Sequence, residues 1–200
     1  MNRFGIVVFA LFSLGGAARA AEESSIRFIP NEGQWDASIS YQADVGHISA
    51  WFDQNGVWYQ LRTPSVSDTV GEEDASIDAG SATILSQTIR ASFVGGRAMT
   101  LSGGMATNEK RAYFLGNDQT RWRSNVPVFK QVQLKSVYSG IDVLYRGTGR
   151  QLEYDFIVKP GANPAQIEIR YDGIKSLSIG TDGNLVIATD WGQIAEQKPF

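Results

Sequence analysis

Two carboxylates two residues apart are the first pair in this sequence with the spacing for chemistry. In Leu152-Glu153-Tyr154-Asp155-Phe156-Ile157-Val158, apolar and acidic residues alternate with the period of an extended strand. Glu153 and Asp155 then share one face about 7 Å apart, within the separation that inverting glycosidases use between a general acid and a water-activating base. Leu152, Tyr154, Phe156 and Val158 take the opposite face and are expected in the core. The leading reading of the carboxylates is structural, as partners of Arg146 or Arg150 or of turn N–H groups, because alternating strands commonly carry acids. A glycoside hydrolase built on Glu153 and Asp155 remains the sharper alternative.

Trp51, Trp58 and Trp122 stand beside polar residues, and an outward tryptophan offers a flat face on which a sugar stacks. Faces alternate between Trp51 and Phe52 and between Trp58 and Tyr59, so one of each pair turns outward or meets a second layer. These three tryptophans are the candidate ligand-binding residues. Trp35, following Gly33-Gln34, is expected to anchor a turn. His47 is the single histidine, so a Ser–His–acid triad would have to use it. The chain has no Gly-x-Ser-x-Gly elbow, and Ser102 before Gly103-Gly104 matches loosely, which leaves His47 as a turn or surface residue.

No cofactor or metal is expected. The absence of cysteine excludes disulfide frameworks, thiolate zinc and iron–sulfur clusters, and one histidine excludes any site needing two imidazoles. Gly95-Gly96-Arg97 lacks the Lys-Ser/Thr ending of a phosphate loop. A net charge of −3 and an isoelectric point near 5.2 argue against nucleic-acid partners, which require a basic surface. Pro64–Ser86 carries Asp68, Glu72, Glu73, Asp74 and Asp78 with no Lys or Arg, and is expected to be a mobile acidic loop. Calcium ligation there is disfavoured by the contiguous Glu72-Glu73-Asp74, since calcium loops place their oxygens at alternate positions.

Positioning these residues falls to strands. The 200 residues are 42% hydrophobic, enough for a sizeable core. Ile39–Val45 and Val57–Leu61 alternate, and Asn55-Gly56 predicts a tight hairpin turn between Ile48–Phe52 and Val57–Arg62. Further strands are expected at Gln87–Val94, Val126–Leu134, Ile141–Tyr145, Leu152–Val158, Gln166–Tyr171, Leu177–Ile179, Leu185–Thr189 and Gln193–Glu196. About twelve short strands, separated by Gly-containing turns and without helical periodicity, predict an all-β antiparallel sandwich or barrel-like architecture.

The first twenty residues read differently. Arg3 gives a positive start, Phe4 to Leu14 is apolar and uncharged, and Ala18-Arg19-Ala20 fits the small-x-small cleavage rule. The apolar run is shorter than the roughly 20 residues needed to span a bilayer. Residues 1–20 are therefore expected to be a signal peptide and 21–200 a secreted or cell-surface domain with no transmembrane segment after cleavage.

A series of motifs resembles one family. Phe28-Ile-Pro-Asn31-Glu-Gly33-Gln34-Trp35 with Tyr41-Gln-Ala43, Tyr113-Phe-Leu-Gly116-Asn117-Asp118 with Trp122, Ser124-Asn-Val-Pro127, and Tyr138-Ser-Gly140-Ile-Asp142 are similar to the N-terminal domain of bacterial secreted and surface proteins. That domain often precedes seven-bladed β-propeller (SBBP-type) repeats. Leu152-Glu-Tyr-Asp155-Phe, Pro160-Gly161-Ala-Asn-Pro164 and Gly183-Asn-Leu185 continue the likeness toward Glu196 and Pro199. No propeller repeat is recognisable in this sequence. In the family the pattern runs on past the Glu-x-x-Pro position, so the sheet is expected to lack strands at its C-terminal end. The resemblance implies a non-catalytic exported module for adhesion, assembly or scaffolding, with other cell-surface proteins or glycans as partners. A carbohydrate-binding module using exposed tryptophans is the alternative, and the Glu153/Asp155 hydrolase the second.

Overall fold

The structure, a computed structural model, describes the backbone of residues 2–9 and all of residues 26–46, 48–62, 86–149 and 151–199. Apart from Ser86, the expected acidic loop lies outside these residues, as do His47, Arg150 and the Ala18–Ala20 cleavage site.

Fourteen strands are described: β1 (Asn2–Phe9), β2 (Phe28–Pro30), β3 (Ile39–Val45), β4 (Ile48–Asp53), β5 (Gly56–Arg62), β6 (Ser86–Phe93), β7 (Thr100–Tyr113), β8 (Arg123–Tyr138), β9 (Ile141–Thr148), β10 (Gln151–Val158), β11 (Ile169–Asp172), β12 (Ser176–Ile179), β13 (Leu185–Thr189) and β14 (Gly192–Glu196). The only helical elements among the described residues are single 3-10 turns at Gln119–Arg121 and Pro164–Gln166. The protein is all-β, with antiparallel pairing throughout the described ladders. No described helix is long and apolar enough to cross a membrane.

Strands pair in the order β11-β6-β5-β4-β3-β2-β8-β9-β10-β1-β14-β13-β12, with β7 on β8. The sheet curls on itself, because residues on strands that are not neighbours meet inside it. Phe52 of β4 packs edge-on to Tyr145 of β9 at 5.0 Å, and Phe93 of β6 meets Phe156 of β10 at 6.1 Å. Gln87 of β6 accepts from the Asp190 N–H in the β13–β14 turn and donates to the Gly173 carbonyl before β12. These bonds bring the two flanks of the strand order together into a barrel-like shape. Phe28, Phe52, Tyr145, Tyr154, Phe156 and Leu134 fill the interior.

Several elements differ from the sequence reading. The β7–β8 hairpin is far longer than the expected Val126–Leu134 strand. Thr100–Lys110 has no apolar alternation of its own and is held extended by its pairing with β8 from Thr100↔Lys135 to Tyr113↔Arg123. The strand expected at Gln166–Tyr171 begins at Ile169, because Asn163 caps a 3-10 turn by accepting from the Ala165 N–H. In the β4–β5 hairpin the turn residues are Gln54 and Asn55, while Gly56 already pairs with Asp53. Its glycine is required both by close packing, since a Cβ there would collide with the Ala91 carbonyl oxygen of β6, and by its backbone, at φ +153°. Finally, Asn2–Phe9 lies in the sheet as β1. Its Ile6-Val7-Val8-Phe9 run has the β-branched and aromatic composition that strands favour.

Candidate functional site

Glu153 and Asp155 project from β10 on the face opposite the core, as the alternation requires. Arg146 stands directly across from Glu153 in the β9–β10 ladder and reaches both acids. Its Nη2 lies 3.0 Å from Glu153 Oε2 and its Nη1 pairs with Asp155 Oδ2. Both acids are buried, at 9% and 4% exposure. An inverting hydrolase needs one carboxyl free to donate a proton and another free to activate water. One guanidinium engages both here. Asp142, beside them on β9, is likewise occupied by the Ser136 N–H at 2.8 Å, Gln133 at 3.3 Å and Lys159 at 3.6 Å.

The tryptophans fall into two groups. Ladder register sets Gln42, Trp51, Trp58 and Arg90 side by side across β3, β4, β5 and β6. Trp58 is 39% exposed, its indole N–H donates to Asp53 Oδ2 at 2.8 Å, and the Arg90 guanidinium lies 4.5 Å above its ring. Arg90 Nη2 also donates to Asp53 Oδ1 at 2.8 Å, whereas its buried Nη1 has no hydrogen-bond partner among the described residues. Trp51 is half-buried, with Trp35 edge-on at 5.3 Å and Tyr113 edge-on to Trp35 at 5.2 Å. Asn31 ties down the turn that presents Trp35. Its side-chain amide donates to the Asp36 and Ile39 carbonyls, both at 2.8 Å, and its oxygen accepts from the Gly33 and Trp35 N–H groups. A surface hollow of about 460 Å³ lies against this turn, between Trp35 and Tyr41.

Trp122 belongs to the other group, at the far end of the β7–β8 hairpin. It is 37% exposed, packs edge-on to Phe114 at 5.5 Å, and donates its indole N–H to the Gly116 carbonyl at 3.1 Å. Trp51 and Trp58 thus form one patch, and Trp122 is grouped with Phe114 instead.

Sequence reasoning missed a third cluster, inside the barrel. Glu196, 4% exposed, receives hydrogen bonds from the Tyr154 hydroxyl at 3.0 Å and the Tyr171 hydroxyl at 2.5 Å. Burial pushes the Glu196 carboxyl above its ordinary value, and the two tyrosine hydrogen bonds pull the other way. Burial also raises Tyr59, Tyr145, Tyr154 and Tyr171, and the Tyr59 and Tyr145 hydroxyls are paired. A cavity of about 30 Å³ beside Glu196, bordered by Val45, Ile48, Tyr59 and Leu152, has room for about one water. The cluster joins β10, β11 and β14. The alternating tyrosines were visible in the sequence, but the carboxyl opposite them was not, because it comes from a distant strand.

A family described as "Domain of unknown function (DUF7948)" matches residues 28–200. No curated protein and no solved structure matches the chain.

Proposed function

The chain belongs to the DUF7948 family, and from that premise we propose that it is a non-catalytic, exported β-rich module of a secreted or cell-surface protein, acting in adhesion, assembly or scaffolding. The observation that carries this reading is the engagement of Glu153 and Asp155 by Arg146. The most hydrolase-like pair in the sequence is held in ion pairs with one guanidinium. The apolar start ending at Ala18-Arg19-Ala20 supports export, and the likeness of the Phe28–Trp35 and Tyr113–Trp122 motifs to domains preceding SBBP-type repeats supports a surface role. Expression in a secreting bacterial host should yield a product beginning at Ala21 that hydrolyses no polysaccharide in a broad panel. An intact Met1 on the exported product counts against export, and turnover abolished by Glu153→Gln counts against the non-catalytic assignment.

A second reading is glycan binding at the Trp51–Trp58 patch. It is favoured by the exposed Trp58 ring, beside which the Arg90 guanidinium lies at 4.5 Å. Binding on a glycan array that is lost in Trp58→Ala and retained in Trp122→Ala would support it. Equal retention in both variants would remove it.

A further inference from the structure

The two tryptophans of the β4–β5 patch are one end of a longer line of rings. Trp58 stands opposite Trp51 in the β4–β5 ladder, Trp35 is edge-on to Trp51 at 5.3 Å, and Tyr113 is edge-on to Trp35 at 5.2 Å. At Tyr113 the line meets a second surface hollow, of about 330 Å³, whose wall also includes Arg27, Arg111 and Asp44. Asp44 follows Gln42 by two residues on β3, and Gln42 is the ladder partner of Trp51, so the hollow and the rings share one face of the sheet. We infer that this face binds an acidic oligosaccharide, with the carboxylate of one sugar held in the hollow at Arg111 and the neighbouring sugars laid along the rings toward Trp58. The inference rests on the glycan reading of the Trp51–Trp58 patch and adds to it the class of glycan and a second set of contacts.

The rings favour a single chain over a flat polysaccharide surface. Trp35 is turned 87° from Trp51 and 73° from Tyr113, so they make no common plate. A separate chain can meet them one sugar at a time, its apolar C–H faces on the indoles and its hydroxyls in water.

Charge selects an acidic sugar. Arg111 is half-exposed and gives Glu109 Oε2 one contact at 3.3 Å, which leaves other donors of its planar fork for a ligand. A carboxylate matches that fork with two parallel hydrogen bonds. The second oxygen of Glu109 holds Arg27 at 2.7 Å, so one carboxylate sets both guanidiniums at the hollow. Asp44, the acid of the wall, accepts from the Ser49 hydroxyl at 2.7 Å and has Arg62 at 3.5 Å. Burial raises the Tyr113 hydroxyl, Arg111 lowers it and Asp44 raises it, which places both charges close to the polar end of the last ring.

The test is calorimetric titration of the protein with tetramers of galacturonate, glucuronate and mannuronate, each matched to its carboxyl-reduced, neutral counterpart. At least one acidic tetramer should bind tenfold or more tightly than its reduced form, and the preference should shrink as salt rises. Arg111→Gln should bring the acidic tetramer down to the affinity of the reduced one, and Arg111→Lys, which keeps the charge without the fork, should restore part of the difference. Trp58→Ala should weaken both forms by a similar factor. Melting temperatures matching the wild type show that these variants keep the fold. Equal affinity for acidic and reduced forms, or a preference that survives Arg111→Gln, overturns the inference and leaves the glycan reading standing. Failure of every tetramer to bind also overturns it, and the glycan reading is then judged separately, on the array with Trp58→Ala.

Discussion

The Tyr154 hydroxyl donates to Glu196 Oε2 over 3.0 Å and so links β10 to β14 beneath the strand that separates them. Burial raises the Glu196 carboxyl above its ordinary 4.5. A raised carboxyl means that the folded state holds the proton more tightly than the unfolded chain. Its contribution to stability is therefore fully present below pH 4.5 and is lost as pH rises through the folded value. Urea unfolding of the wild type and Glu196→Gln from about pH 4 to about pH 8 should show the wild type losing stability relative to the variant across that window. Parallel profiles would place the titration elsewhere.

Arg146 is the ion-pair partner of two buried acids, so its removal leaves both unpaired. Arg146→Met is expected to destabilise the fold by about 3 kcal/mol, the order seen when one partner of a buried pair is deleted. Combining it with Glu153→Gln and Asp155→Asn should recover a substantial part of the loss. Denaturant titration of the wild type, the single variant and the triple variant checks both statements.

Phe156 is 1% exposed and packs against Tyr154 at 5.8 Å and Phe93 at 6.1 Å, on opposite sides of the barrel interior. Phe156→Ala should cost about 3–5 kcal/mol. A loss under about 1 kcal/mol in equilibrium unfolding would contradict the burial of that face.

Gly56 and Gly95 both stand at positive φ, +153° and +69°, and differ in their packing. A Cβ at Gly56 would strike the Ala91 carbonyl, whereas Gly95, at φ +69°, has nothing within 4 Å of the same position. Gly56→Ala should cost about 2–3 kcal/mol through overpacking added to backbone strain, and Gly95→Ala about 1 kcal/mol through its left-handed backbone alone. Thermal unfolding of both variants tests the order.

Sequence alternation revealed strands where one face is apolar. It placed Leu152, Tyr154, Phe156 and Val158 in the core, paired Ile48–Phe52 with Val57–Arg62, and offered Arg146, Arg150 or turn N–H groups for Glu153 and Asp155, of which Arg146 is the partner seen. It failed for Thr100–Lys110, where the extended shape is imposed by β8 and no periodic signal exists to read. Glu196 was likewise invisible as a site, because its partners Tyr154 and Tyr171 lie on other strands and are brought to it by the curl of the sheet. Trp51 and Trp58 could be placed on one patch only once the register was known.

The pairing of Val8 with Glu196 has a kinetic consequence. These residues are 188 positions apart in sequence (196 − 8), so this contact can form only after the segment up to Glu196 has left the ribosome. Local hairpins such as β4–β5 and β13–β14 can form within microseconds, but joining strands so remote in sequence carries the large search cost that makes high-contact-order β proteins fold in milliseconds to seconds. Until then the edges of β10 and β14 remain open, and the nascent protein stays, for that interval, dependent on whatever shields them.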